Sequence, residues 1–142
     1  MNKNGFLIIE KMVYIIAISF LGLAILTYLQ INTRFLESFK NNVQQNVFLK
    51  FEQLITETID EIVRSEKALE IGKTGMKLYA QDDIGQLNPI TIDNRSLNSK
   101  VDIISYERLS YNCLRVNYGT SDDVRHRIYF IPRGVTENES IS

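Results

Sequence analysis

Arg34 to Glu66 reads RFLESFKNNVQQNVFLKFEQLITETIDEIVRSE and holds neither glycine nor proline. Apolar side chains recur at Phe35, Phe39, Val43, Val47, Phe51, Ile55, Ile59 and Val63, each step being four residues. Leu36, Phe48, Leu54 and Ile62 widen that stripe, while Glu37, Lys40, Gln44, Glu52, Asp60 and Glu61 occupy the opposite face. Side chains four apart lie above one another on a helix, so the stretch is an amphipathic helix with one face to be covered. A constant step of four winds around the axis and lacks the alternation of three and four that a coiled coil needs, which makes a helical partner the weaker reading. The stop signals Ile71-Gly72 and Thr74-Gly75 place the expected end of the amphipathic half, residues 32–72, near Gly72.

On the N-terminal side the polarity falls away. Met12 to Ile31, MVYIIAISFLGLAILTYLQI, carries no charge and no proline. At about 1.5 Å per residue such a run reaches about 30 Å, the thickness of a bilayer core. Tyr14 and Tyr28 stand near its two edges, where amphipathic rings favour the membrane interface. A cleaved secretory signal has a shorter apolar core followed by a small-x-small site. Here Ala17-Ile18-Ser19 falls in the middle of the run, and the only cysteine, Cys113, is far from the position a lipoprotein signal requires. Residues 6–31 are therefore expected as a membrane helix and residues 32–72 as its continuation, together roughly 90 Å long if unbroken. The very short tail at residues 1–5 is expected in the cytoplasm, with the bulk of the chain outside.

Beyond the helix, residues 76–81, 89–93, 101–106, 111–118 and 127–131 are short, rich in Ile, Val and Tyr, and separated by turn residues. These are strand signals. Gly119-Thr120-Ser121-Asp122-Asp123 predicts a hairpin loop, with Leu114, Val116 and Tyr118 alternating against Cys113, Arg115 and Asn117 in its first arm. Residues 73–134 are expected as one small antiparallel sheet and residues 135–142 as a flexible tail. Strands this few cannot build a large core alone, so the helix stripe must supply half of it. The expected fold class is α+β, one long helix laid on a small antiparallel sheet.

Composition narrows the functional classes. The chain has 142 residues, is 44% apolar, and its 16 Lys+Arg against 17 Asp+Glu give a net charge of −1. That balance argues against a strong binder of nucleic acid or anionic lipid. One cysteine excludes an intramolecular disulfide, and one histidine, His126, leaves a zinc site or a histidine-based triad without partners. Asp82-Asp83 and Asp122-Asp123 lack the oxygen-rich loop of a calcium site and read as turns. Arg108, Arg115, Arg125, Arg127 and Arg133 are interleaved with Asp102, Glu107, Asp122 and Asp123, which is ordinary surface charge and gives DNA contact no support. No catalytic residue, metal ligand or cofactor is expected.

The opening residues carry the most specific signal. Met1-Asn2-Lys3-Asn4-Gly5-Phe6-Leu7-Ile8-Ile9-Glu10 sets a glycine before a phenylalanine and a glutamate at the fifth position counted from that phenylalanine, directly before the apolar run. This resembles the class III signal of type IV prepilins and pseudopilins, G-F-T-L-[IL]-E. Gly5, Phe6, Ile9 and Glu10 match, whereas Leu7, Ile8 and Lys11 depart from the pattern. The resemblance implies a leader at residues 1–5, cut after Gly5 by a prepilin peptidase, and methylation of the new amine on Phe6. It further implies that Glu10 pairs with the N-terminal amine of a neighbouring subunit during assembly. Glycine lets a peptidase approach the backbone closely, and a carboxylate at the bilayer edge is costly unless paired. The order of segments around Phe51-Glu52-Gln53, Lys77-Leu78-Tyr79, residues 102–107, residues 113–116 and residues 128–132 is similar to the ComG class of competence minor pilins of Gram-positive bacteria. The partners so implied are the peptidase, major and other minor pilins, and the plasma membrane, with display at the cell surface after assembly. The alternative is an uncleaved single-pass anchor with an extracytoplasmic interaction domain.

Overall fold

The computed structural model describes residues 2–97 and 100–141. One helix, α1, runs from Lys3 to Arg64 and is followed by seven strands: β1 (Ala68–Gly72), β2 (Leu78–Gln81), β3 (Leu87–Pro89), β4 (Asp102–Ser110), β5 (Cys113–Gly119), β6 (Val124–Phe130) and β7 (Val135–Asn138). The chain divides into two compact units, Met1–Gln44 and Gln45–Ser142. The fold class is α+β, a long N-terminal helix with its distal part packed on small sheets.

In the first unit every large apolar side chain from Phe6 to Val43 is exposed. In the second, Phe48, Phe51, Ile55, Ile59 and Ile62 of α1 are buried together with Leu69, Leu78, Leu114, Val116, Tyr118, Ile131 and Val135. The amphipathic stripe is thus covered only in its distal half. Phe35, Leu36, Phe39 and Val43 stay exposed, against the expectation of one buried face throughout residues 32–72.

The helix also stops earlier than Gly72. Glu66 takes a left-handed conformation at φ 53°, the amide of Lys67 donates to the Ile62 carbonyl and that of Glu66 to the Val63 carbonyl. This is a Schellman cap formed without glycine. It releases Ala68–Gly72 as β1, in which Leu69 and Ile71 are buried. The local composition of this segment favours helix, but the alternation of Leu69 and Ile71 fits a pleated strand, and core burial decides between the two.

Two sheets replace the single expected one. The first has the order β3-β2-β1-β7 and the second β4-β5-β6. All pairings are antiparallel except β1 with β7, which is parallel, Leu69 facing Val135 and Gly72 facing Asn138. Residues 135–138 are therefore a strand and not a loose tail. Val135 is 0% exposed, and the Leu69 and Lys73 amides donate to the carbonyls of Gly134 and Ile141. The expected strand at 89–93 is displaced to Leu87–Pro89. Pro89 has no amide to continue a ladder, and after one more bond, from the Ile90 amide to the Leu78 carbonyl, the chain leaves the sheet while Ile90 and Ile92 pack against the core.

The β5–β6 hairpin forms as read, with Gly119 opposite Val124 and the Thr120 amide donating to the Asp123 carbonyl. Gly119 sits at φ 148°, and a Cβ there would lie 2.1 Å from the Asp123 carbonyl oxygen. Backbone cannot give way as a side-chain tip can, so Gly119→Ala should lower stability by more than about 2 kcal/mol. Thermal unfolding followed by circular dichroism measures this, and a variant as stable as the parent would show that the loop can adopt another turn.

Candidate functional site

The residues singled out from the sequence all lie at the head of α1. The amides of Gly5 and Phe6 both donate to the Asn2 carbonyl, at 2.9 and 3.3 Å, so the Gly5–Phe6 bond sits inside the first helical turn. Nothing lies within 4 Å of a Cβ built on Gly5. A spacing of four places Phe6 and Glu10 on one face of the helix, and both are exposed. Among the described residues Glu10 has no ion pair and no hydrogen bond partner for its carboxylate. Phe6 and Glu10 therefore share one open strip of the helix, and the half-buried Gly5 lies about 100° around the axis from Phe6.

The apolar segment behind them is long and apolar enough to cross a membrane. Its serine and threonine hydroxyls are turned inward onto the helix. Ser19 donates to the Ile15 carbonyl at 2.8 Å, Thr27 to Leu23 at 2.9 Å and Thr33 to Leu29 at 2.9 Å. In hydrocarbon every polar hydrogen needs such an internal acceptor. Spacing alone did not reveal this saturation, although a hydroxyl residue four positions after an aliphatic one is its visible trace.

In the second unit a polar seam fastens helix to sheet. Glu52, assigned from the sequence to the solvent face, accepts a 2.6 Å hydrogen bond from the Tyr118 hydroxyl and pairs with the Arg127 guanidinium. Thr56 and Tyr129 share a 2.9 Å hydroxyl–hydroxyl bond, and the Arg125 guanidinium lies 4.0 Å above the centroid of the Phe48 ring. Phe48, Glu52 and Thr56 follow one another at steps of four, and Arg125, Arg127 and Tyr129 alternate along β6. The two patterns together were the available signal, because alternation puts both arginines on the same face as the buried Tyr129.

Of the five arginines singled out from the sequence, four pair with carboxylates. Arg115 pairs with Glu107, Arg125 with Asp123, Arg127 with Glu52 and Arg133 with Glu66. Asp82 Oδ1 accepts the amides of Ile84 and Gln86, closing the β2–β3 turn. Cys113 is a half-buried free thiol and His126 is exposed. No cluster of three metal-ligating side chains occurs among the described residues. An open groove of ≈ 450 Å³ beside the C-terminal ends of β1 and β7 and the middle of β4 is lined by Lys73, Tyr106, Glu107, Glu137 and Glu139.

Comparison with protein-family models, with curated proteins and with solved structures returned no match. The class is set by architecture alone: a long, apolar N-terminal helix whose distal part packs on small β-sheets, an arrangement consistent with a pilin-like fold.

Two predictions concern the second unit. Glu52→Ala removes the acceptor of both Tyr118 and Arg127 and should cost about 1–2 kcal/mol, whereas Glu52→Gln keeps an acceptor for Tyr118 and should cost less. Equal losses in chemical denaturation would assign the effect to charge alone. Burial, with the charge of Asp102 second, pushes the Tyr106 hydroxyl up to about 12. Burial likewise raises Tyr118 and Tyr129. The folded state thus holds protons that the unfolded chain releases near pH 10, so stability is complete below that value and falls as pH rises from 10 to 12. Tyr106→Phe should flatten that alkaline loss in a melting-temperature series against pH.

Proposed function

We propose that this chain is a minor pilin, a pseudopilin-type subunit of a Gram-positive, competence-type type IV pilus that supports DNA uptake in transformation. In this reading a prepilin peptidase removes residues 1–5, Phe6 becomes the methylated N-terminus, and the subunit waits in the plasma membrane before joining major and other minor pilins at the cell surface. The observation that carries it is the placement of Phe6 and Glu10 on one exposed face, directly after Gly5, at the start of an apolar helix that continues to Arg64.

The chemistry follows from that placement. Cleavage after Gly5 exposes an ammonium on Phe6, and Glu10 offers a carboxylate with no partner among the described residues. An unpaired charge at the bilayer edge is expensive, so an ammonium from a neighbour is a favourable counter-ion and sets the axial stagger of adjacent subunits. The exposed stripe of Phe35, Phe39 and Val43 supplies apolar surface for the same neighbours beyond the lipid. The arginines of the sheet unit are mostly engaged with its own carboxylates, so the role in DNA uptake rests with the filament and not with a basic surface here.

The second reading is an uncleaved single-pass anchor. It draws on the helical state of the Gly5–Phe6 bond and on the departures at Leu7 and Lys11. Mass spectrometry of the N-terminal peptide from membranes of cells with an active prepilin peptidase separates the two. The pilin reading expects a peptide that begins at methylated Phe6, and loss of filament incorporation with Glu10→Ala. A peptide that retains residues 1–5, with Glu10→Ala functioning as the parent, overturns it in favour of the anchor.

A further inference from the structure

The apolar stripe of α1 does not keep to one face. A step of four residues advances about 40° beyond a full turn, so the steps from Phe35 through Phe39, Val43 and Val47 to Phe51 carry the stripe about 160° around the axis. Before the change Phe35, Leu36, Phe39 and Val43 are exposed, and after it Phe48, Phe51, Ile55, Ile59 and Ile62 are buried. The crossover is Asn41-Asn42-Val43-Gln44-Gln45-Asn46, in which every residue is exposed and Val43 is the single apolar one. The boundary between the two compact units falls inside it, between Gln44 and Gln45.

Only its own backbone bonds hold this section as helix. Among the described residues, no side chain from Arg34 to Asn46 makes a hydrogen bond or an ion pair, the nearest that do being Thr33 before it and Glu52 after it. Asparagine and valine stand low among helix formers, and an asparagine side chain competes for the neighbouring backbone groups. Phe35 to Lys40 is just as exposed, but Leu36, Glu37 and Lys40 favour helix there.

Opening the helix costs more on either side. Within hydrocarbon a freed amide finds no water to bond. Beyond Val47, opening would return Phe48 and Phe51 to water. From Asn41 to Asn46 the freed groups are hydrated at once, and no buried apolar surface is lost.

We propose that residues 41–46 are a hinge built into α1, a section whose helical bonds open to water while the apolar segment before it and the packed segment after it stay closed. Opened, its six residues pass from about 1.5 Å to about 3.3 Å each, which lengthens the connection by up to about 11 Å. α1 is then a tether of adjustable length and direction at this one place. The hinge belongs to the chain whether or not residues 1–5 are removed, so its failure and the failure of the pilin reading are separate events.

Hydrogen exchange of the full-length chain in detergent micelles, read peptide by peptide by mass spectrometry, tests this. The amides of residues 45–50 donate to the carbonyls of residues 41–46 in an α-helix. Their protection factors should be at least tenfold lower than those of residues 35–40, which share the exposure but not the composition, and lower still than those of residues 51–62. The triple variant Asn41→Ala, Asn42→Ala, Asn46→Ala replaces three weak helix formers by the strongest one, and should raise the protection of residues 45–50 about tenfold while leaving residues 51–62 unchanged. Residues 45–50 as well protected as residues 35–40 would overturn the proposal. So would a triple variant that exchanges like the parent, because the opening would then not be set by these residues.

Discussion

Seven strands of three to nine residues have to be held by something larger than themselves. The last part of α1 provides that element for both small sheets. Phe48, Phe51, Ile55, Ile59 and Ile62 supply that surface, at helical spacing and with almost no exposure. At about 1.5–3 kcal/mol for each large side chain removed from water, these five residues are among the main contributors to the stability of the sheet unit. The mixed topology follows from the same need. Val135 completes the apolar cover by returning the C-terminal segment beside β1, and a parallel pairing results because β7 enters from the end where β1 begins.

The same helix meets a different demand at its other end. There the side chains are apolar on every face and exposed, and no protein covers them. An uninterrupted helix is the arrangement that leaves no backbone donor or acceptor unsatisfied in such a stretch, and Ser19, Thr27 and Thr33 extend that economy to their hydroxyls. Between the two regimes lies Phe35 to Val43, amphipathic in sequence yet uncovered. A stripe of that kind is exposed to water only at a cost.

The helix and the hairpin were legible because a single period dominates each. Four-residue steps without glycine or proline read as helix, and Leu114-Arg115-Val116-Asn117-Tyr118 followed by a five-residue turn reads as a strand and its reversal. What was hidden depended on contacts distant in sequence. Ser65-Glu66-Lys67-Ala68-Leu69 looks helical by propensity, and only the burial of Leu69 and Ile71 makes the chain accept a non-glycine residue in the left-handed region. Val135 to Asn138 looks like a polar end until β1 is available to pair with it. Glu52 looks like a solvent-facing charge, since nothing local reveals that Tyr118 and Arg127 converge on it. The motif residues Gly5, Phe6 and Glu10 were legible as a pattern, while the exposure of Phe6 and Glu10 along one helix face comes from the structure.

The placement of charge on β6 links the seam to the open edge. An edge strand is usually guarded by charged side chains on the face that would meet a new neighbour. In β6 the two arginines are on the inner face, where Arg127 engages Glu52 and Arg125 engages Asp123 and the Phe48 ring. Strand alternation forbids the same residues from serving both faces. The arginines of β6 therefore serve the inner face, and the outer face is left to Val124, His126, Ile128 and Phe130. A neutral residue such as threonine on the inner face would have freed no guard for the outer one, since each face is filled by its own set of positions. The apolar outer face of β6 is thus a feature of the sequence separate from the seam that ties the sheet to the helix.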